Sequence, residues 1–396
     1  MNCNEVQSKW NVYINGECSA EEELEVEEHL QTCSKCEQLL NEELENQQKA
    51  ELKNDKEGKM SSGEDLSEIP IKKQKQLIRR AKWKNRLMNA LTVFGLLIIV
   101  SIISTMVTGA YYFWGGDNSR GEKARQVIRT ATQMTMPNVY ISGTGLESNI
   151  FFTMDMKAEI EKELGNESKA IGQLRGKMLF NLLNVTREWV GGQYNVKLYF
   201  LHPHSGKQYN QEIVKDTWHT LDILPQGTVS EMALTFDNVY EIDKVYDILK
   251  DYDLAIVWYA IETGTEAKND SPYLGAGSGV WGIHERAIFD FSESGGSIEI
   301  RGDGEKRGEA FKKGLRFLAE HKKLAKRYIW GIEENGKIED MYNYVNKNGV
   351  KTYGVVVTGP TKELLRLEEN KHIIFATLGE VDFWNWYSRP ASGTMY

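Results

Sequence analysis

Residues 87–113 are LMNALTVFGLLIIVSIISTMVTGAYYF, a run of 27 positions without one charged side chain. A helix rises about 1.5 Å per residue, so this run can cross a hydrocarbon core of about 30 Å with some tilt. A buried core helix and a signal peptide are the alternatives. The run is too long for a core helix and begins too far from Met1 for a signal peptide. The sequence therefore predicts one transmembrane helix over 87–113.

The flanks of this run differ in charge, and the difference predicts its orientation. After the span, acidic and basic residues roughly balance, whereas residues 70–86 contain no acid. Those residues hold eight cations: Lys72, Lys73, Lys75, Arg79, Arg80, Lys82, Lys84 and Arg86. Basic flanks stay in the cytoplasm. We therefore expect a single-pass protein of the plasma membrane, with residues 1–86 cytoplasmic and 114–396 extracytoplasmic.

Composition narrows the class of protein. The chain has 396 residues, 41% hydrophobic and 27% charged, which indicates several folded parts and not a disordered, collagenous or polytopic membrane protein. Residues 1–69 hold 18 Asp/Glu against 6 Lys/Arg. A sequence pI of about 5.5 without a distributed basic face argues against direct nucleic-acid binding. The acidic N-terminal part suits a basic partner instead.

All four cysteines lie in the first 36 residues, which excludes a secreted disulfide scaffold. On the reducing side of a membrane they favour metal or redox chemistry. The spacing His29-x3-Cys33-x2-Cys36 places an imidazole one helical turn before a Cys-x-x-Cys pair, so the three side chains can converge. Cys3, on a preceding helix, can supply the fourth ligand. We expect a structural zinc site, with reduced cysteines partly buried in a helical hairpin as the alternative.

Local patterns predict how this head folds. Apolar residues recur at helical spacing from Val6 to Ile14, Asn15-Gly16-Glu17 breaks that helix, and Ser19-Ala20-Glu21-Glu22 is a capping box for the next. Leucines continue the apolar pattern beyond Cys36. Such a small all-α bundle needs a staple to fold well, and a zinc ion would supply one.

The outer part alternates strand and helix patterns. A helix is predicted over Ser119 to Met134, and residues 138–226 mix strand-like runs such as Asn195 to Leu201 with an acidic helix near Asp155 to Leu164. After Val229 the predicted strands are Glu231 to Phe236, Leu254 to Ile261, Tyr353 to Val357 and His372 to Leu378. Helices are predicted at Ile242 to Leu249, Ile338 to Asn346 and Leu364 to Leu367. This succession predicts an α/β or α+β domain.

Enzyme motifs are weak or lacking in the sequence. Neither Gly-x-Ser-x-Gly nor His-Glu-x-x-His occurs. Residues 277–282 formally fit a dinucleotide fingerprint but follow a Pro/Gly-containing loop instead of a strand. We therefore expect a protein that is not an enzyme.

Several of these stretches resemble a known family. Tyr13-Ile14-Asn15-Gly16-Glu17 with His29-Leu30-x2-Cys33-x2-Cys36 resembles the zinc-finger head of bacterial anti-sigma factors. Residues 348–364 and 379–386 resemble the C-terminal domain of bacterial sigma-factor regulators, and the basic lead, span and Pro137-Asn138-Val139 resemble their N-terminal region. The resemblance implies zinc ligands at Cys3, His29, Cys33 and Cys36, and leaves Cys18 as an extra thiol.

The resemblance also implies a function and a division of the chain. A membrane-anchored head would sequester an extracytoplasmic-function sigma factor and release it on an envelope signal. The expected parts are a head (1–44), a polar tether with the basic juxtamembrane segment (45–86), the span (87–113), an N-terminal outer region (114–228) and a C-terminal outer domain (229–396). A surface ligand-binding or structural membrane protein, whose cytoplasmic finger binds another partner, is the alternative. Ser101, Thr105 and Gly109 weakly indicate helix dimerisation, so a homodimer or an accessory membrane protein stays open as a further partner.

Overall fold

The structure, a computed structural model, describes residues 1–15, 18–43, 71–194, 197–285, 304–329 and 337–387. The chain divides into two compact units, Met1–Val100 and Ser101–Tyr396. The tether predicted over 45–70 and the turn residues Gly16 and Glu17 lie outside the described residues.

The first unit begins with short helices joined by capped turns. They are α1 (Cys3–Ser8), α2 (Trp10–Asn15), α3 (Ala20–Thr32) and α4, described over residues 34–43. The predicted capping box is present: Glu22 N donates to Ser19 Oγ, and the Glu22 carboxylate accepts from Ser19 N at 3.1 Å. Seven buried residues form the small core of this head: Val6, Tyr13, Ile14, Val26, Leu30, Cys36 and Leu40.

A single long helix, α5 (Ile71–Phe113), follows. Within the described residues it is the one helix long and apolar enough to cross a membrane, and its most apolar window is not covered by protein. The basic start of α5 packs on the head: the indole of Trp83 lies against the head core. Arg79 Nη2 lies 2.5 Å from Glu23 Oε1, and its guanidinium lies 4.7 Å from the centroid of the Tyr13 ring.

The second unit contains α6 (Arg120–Thr135) and a four-stranded antiparallel sheet. Helix α6 confirms the predicted helix, with Ser119 as its N-cap and its apolar stripe buried. The strands follow chain order in the sheet: β1 (Tyr140–Ser148), β2 (Thr153–Leu164), β3 (Glu167–Leu179) and β4 (Leu182–Trp189). Tight hairpins connect β1 to β2 and β3 to β4.

A five-stranded sheet with order β7-β6-β8-β5-β9 completes this unit, and each of its pairings is antiparallel. Its strands are β5 (Thr228–Glu241), β6 (Ala255–Ile261), β7 (Gly282–His284), β8 (Lys351–Pro360) and β9 (Ile373–Phe383). The accompanying helices are α7 (Glu212–Ile223), α8 (Ile242–Leu249), α9 (Gly304–Glu320), α10 (Lys322–Tyr328), α11 (Ile338–Asn348) and α12 (Thr361–Leu365). The four strands and three helices predicted after Val229 are confirmed, and antiparallel pairing makes the class α+β.

The helix predicted near Asp155 to Leu164 is wrong, because these residues belong to β2. Their burial alternates strictly, with Met156, Ala158 and Ile160 facing the core. The charges between them are typical of an acidic helix, but the period is two. Part of Asn195 to Leu201 lies outside the described residues; the remainder contributes one isolated bridge, Phe200 to Leu274, instead of a strand.

A buried ionic network links the two sheets. Lys162 Nζ of β2 lies 3.0 Å from Glu231 Oε2 of β5 and 2.6 Å from Glu380 Oε2 of β9. The other Glu231 oxygen accepts from Asn138 Nδ2 at 2.5 Å. Both members of the Lys162–Glu231 pair are buried. Buried charges must be paired and hydrogen-bonded, so this network fixes how the sheets meet.

We predict that Glu231→Ala lowers the free energy of unfolding by about 3 kcal/mol, because it leaves a buried cation and amide short of a partner. Glu188→Ala is the matched control, since Glu188 pairs with Arg175 at the surface of the same unit and the loss should stay below about 1 kcal/mol. Denaturant titration of the full chain in micelles, followed by near-UV circular dichroism, measures both. Equal losses would contradict a structural role for the buried network.

Candidate metal centre and partner surface

Three helices bring four candidate ligands together in the head. Cys3 opens α1, His29 lies in the last turn of α3, Cys33 separates α3 from α4, and Cys36 lies in the first turn of α4. Their ligand atoms all lie within 4.8 Å of one another. Among the described residues this is the one such His/Cys/acid group. The four residues singled out by spacing are thus arranged to bind a metal ion.

The geometry fits a tetrahedral zinc ion. Two thiolates on tetrahedral zinc, each at about 2.3 Å, are separated by about 3.8 Å. Cys3 Sγ and Cys33 Sγ are 3.7 Å apart. The Nδ1 atom of His29 lies 2.9 Å from the Met1 carbonyl oxygen, which can only accept, so Nδ1 carries the proton. The lone pair of Nε2 then faces the thiols, and within the described structure this buried atom has no hydrogen-bond partner.

The helix end and the burial at the metal site change the pKa values of its thiols. Backbone donation from Cys36, with help from Cys3 and Lys35, lowers the pKa of Cys33 to about 7. Cys33 precedes α4, where free amide groups favour a thiolate. Burial is the largest cause that raises the pKa of Cys36 to about 11. One thiol is thus readily ionised, while the buried one needs a cation to become a thiolate.

Cys18 lies apart from this group. Its thiol is half-buried against the head core, and burial raises its pKa. The two observations indicate a packing thiol with low reactivity, because the reactive form of cysteine is the thiolate. Substitution of Cys18 should therefore leave the four-residue centre intact.

Helix α3 presents two kinds of acidic residue. Glu22, Glu23 and Glu27 pair with cations of the same unit: Lys9, Arg79 and Arg86. Glu21, Glu25 and Glu28 are exposed. Leu24 lies among them and is 68% exposed. Positions 21, 24, 25 and 28 share one face of a helix. We call these four residues the α3 acidic face.

The second unit contains a cavity that sequence reasoning missed. Its volume is about 480 Å³, and its aromatic lining comprises Trp189, Tyr194, Trp281 and Tyr328. The Arg187 guanidinium lies 4.3 Å from the centroid of the Tyr328 ring. Arg187 Nε and the Tyr194 hydroxyl are buried there without a hydrogen-bond partner in the described structure. The lining suits a ligand with an apolar body and an acceptor group. Its residues come from distant positions, and Gly277, Gly279 and Val280 of the stretch that formally fits a dinucleotide fingerprint are among them.

Comparisons with known proteins agree with this geometry. Family models match at residues 3–36 ("Putative zinc-finger"), 75–169 ("Sigma factor regulator N-terminal") and 221–380 ("Sigma factor regulator C-terminal"). The chain is similar to "Probable anti-sigma-M factor YhdL" of Bacillus subtilis, with 31% identity over 389 residues that cover 96% of this chain and 99% of the relative. No solved structure matches the chain.

We predict that Cys33→Ser removes bound zinc and unfolds the head, because the small core depends on the metal for its stability. Cys18→Ser, the matched control, should retain about one zinc ion per chain, as a closed four-ligand site requires. Elemental analysis of the full chain purified anaerobically in micelles gives the zinc content, and limited proteolysis reports the fold of the head. A zinc-free parent chain with a protease-resistant head would support the alternative scaffold of reduced cysteines.

Proposed function

This chain belongs to the anti-sigma factors with a zinc-finger head and sigma-factor-regulator regions, and we propose that its head holds an extracytoplasmic-function sigma factor at the membrane. The relative is named for sigma-M, and a sigma factor is the partner that the family implies for this chain. A sigma factor held there is kept from RNA polymerase. The role is regulatory, and release of the partner is its output.

The observation that carries this proposal is the α3 acidic face. Sigma factors bind promoter DNA, so they must present basic surfaces. Residues 1–44 hold eleven Asp/Glu against two Lys/Arg, and three of the acids surround the exposed Leu24. Complementary charge speeds association, while the leucine supplies apolar area that leaves water on binding. The α3 acidic face can therefore both speed association with a basic partner and stabilise the complex.

In this proposal the zinc site supports the face without taking part in binding. Four protein ligands close the tetrahedral shell and leave no position for water or substrate. The site anchors the last turn of α3 through His29, one turn beyond Glu25. Metal binding therefore fixes the helix that carries the acidic face.

We propose a single-pass topology with the head in the cytoplasm. The support is the run of cations at the start of α5, followed by its apolar segment and by aromatic residues at the far end. Arginine and lysine remain on the cytoplasmic side, and tyrosine and tryptophan favour the interface. A sigma factor is a cytoplasmic protein, so this orientation places the head where its partner is.

The second unit is then the part that receives an envelope signal. Tyr112, near the end of α5, is fully buried in that unit, and its hydroxyl donates to the Phe152 carbonyl at 2.7 Å. A change in the packing of this second unit, which we call the outer unit, therefore acts directly on α5. The aromatic cavity beside Arg187 is the place we propose for a small-molecule signal.

Reversal of the acidic face tests the binding proposal. We predict that Glu25→Lys with Glu28→Lys slows association with the sigma factor by about tenfold at low salt and flattens its salt dependence. Glu42→Lys with Glu43→Lys is the control, because these exposed acids lie on α4 and make the same change in net charge. Surface plasmon resonance with the full chain in nanodiscs measures the rates. Equal slowing in both pairs would assign the effect to net charge and contradict a specific face.

Protease accessibility tests the topology. In intact protoplasts, added protease should shorten the chain from its C-terminal side and leave an N-terminally tagged head protected, because the membrane shields the cytoplasm. Lysis should expose the head to the same protease, which controls for intrinsic resistance. A tag lost from intact protoplasts would contradict the proposed orientation.

A further inference from the structure

Two hairpin tips of the second unit lie against the outer end of α5. One tip, residues 149–152, joins β1 to β2, and the other, residues 180–181, joins β3 to β4. Phe151 N donates to Ser104 Oγ at 2.7 Å, and Phe152 N donates to Thr108 Oγ1 at 3.0 Å. The Phe180 amide donates to the Phe152 carbonyl at 3.1 Å, so the tips also hold each other.

The tips carry a cluster of large apolar side chains that face solvent in the protein alone. We define the tip cluster as the following exposed residues: Ile150, Phe151, Leu179, Phe180 and Leu182. Phe151, for example, is 59% exposed. A contiguous group of this kind on a soluble surface would favour aggregation, and it normally marks an interaction site.

The place on α5 at which the tips bind indicates what covers the tip cluster. Ser104 lies 17 residues beyond Leu87, the first residue of the apolar run, which is about 26 Å along the helix axis. Any tilt makes the depth smaller. A hydrocarbon core is about 30 Å thick, so the tip that bonds Ser104 lies level with the edge of the membrane core. The next turns of α5 contain the half-buried Tyr111, and the exposed Trp114 follows, as expected for aromatic residues at a membrane interface.

Backbone polar groups of the tips have the protein hydrogen-bond partners that a position at the edge of the membrane core requires. Non-helical backbone close to hydrocarbon needs protein partners, because water is scarce there. Hydroxyl groups of α5 accept from two consecutive tip amides, and Tyr112 Oη donates to the carbonyls of Phe152 and Phe180. Left-handed backbone angles, with φ between 51° and 55°, occur at Phe151, Phe152 and Phe180, where glycine or asparagine would be less strained. Keeping phenylalanine there costs stability, and the exposed rings of Phe151 and Phe180 are the two that can contact lipid.

We propose that the tip cluster inserts into the adjoining leaflet beside the span and gives the outer unit a second, peripheral membrane contact. The proposal rests on the proposed transmembrane span. The occupant is the acyl-chain region of the bilayer, because the tips bond Ser104 and Thr108 in the apolar run of α5, whose neighbouring apolar residues Ile103, Met106 and Val107 are exposed. Aromatic and aliphatic side chains at a membrane boundary bind by burying apolar area in this way. The outer unit is thereby held at a fixed height and angle above the bilayer.

Photocrosslinking tests the contact. The photoreactive amino acid p-benzoylphenylalanine replaces Phe151 or Phe180 in the full chain, reconstituted in vesicles of phosphatidylcholine and phosphatidylglycerol with alkyne-tagged acyl chains. The matched controls are Val190, beyond the far end of β4, and Ile223, at the end of α7; both are exposed apolar residues of the same unit. Irradiation should yield lipid adducts at the tips about tenfold above those at the controls, because only the tips enter hydrocarbon.

Two results would overturn the proposal. Lipid adducts at 151 and 180 no stronger than at 190 would leave the tips in water, and crosslinks to a second copy or another protein would assign the cluster to a protein interface. Leu182 has ordinary strand geometry, so label at that position decides the question if the phenylalanine variants misfold. Resistance of the chain to carbonate extraction from the vesicles is measured in parallel. A chain that is extracted would contradict the proposed transmembrane span. A chain that resists extraction but forms no lipid adducts at the tips would refute only the insertion of the tips.

Discussion

The exclusion of charge and unpaired backbone from hydrocarbon is the constraint on which the rest of this molecule depends. Only a helix satisfies its own backbone in a single crossing, so the apolar run must be one continuous helix. The same rule determines its surroundings. Cations collect at its start, serine and threonine hydroxyls near its end accept from neighbouring loops, and Tyr112 binds carbonyls of those loops. Helix α5, 43 residues long, therefore joins the head and the outer unit without a break.

The two units solve the stability problem in different ways. Among its described residues the head buries seven side chains in one core, and so small a core offsets little of the entropy lost when its helices become ordered. A donor set of three thiols and one imidazole compensates for the small core, because metal binding free energy becomes folding free energy. The outer unit has nine strands in two described sheets and a large shared core, and it uses buried ionic contacts such as Lys162–Glu231 to fix the register between sheets. One unit is thus held by a metal site, the other by packing.

Much of this could be predicted from the sequence wherever the signal is local. The capping box at Ser19, the apolar run of α5 and the strands after Val229 each depend on residues within a short window, and the structure confirms them. The sequence wrongly predicts a helix near Asp155 to Leu164 of β2, because the acidic and basic residues there are typical of a solvated helix. Lys162 is in fact buried against a partner on a distant strand. The metal centre could be predicted because three of its residues lie close together in the sequence. The packing of Trp83 on the head could not, because it is a long-range contact. Contacts between two sheets, and cavities between elements, depend on residues far apart in the sequence and produce no periodic pattern in it.

In the proposed function, helix α5 is the element through which a signal at the second unit changes binding at the head. At one end Tyr112 is part of the core of the outer unit, and at the other Arg79 and Trp83 pack on the head. Arg79 and Arg86 already neutralise Glu23 and Glu27, which lie beside the α3 acidic face. In the proposed complex, a sigma factor with a basic surface binds next to these two arginines, and like charges in proximity weaken binding. A shift or rotation of α5 that moves these arginines relative to α3 changes the local potential that the partner meets. Because every 1.4 kcal/mol is about tenfold in affinity, a change in such contacts alters how tightly the head holds the partner.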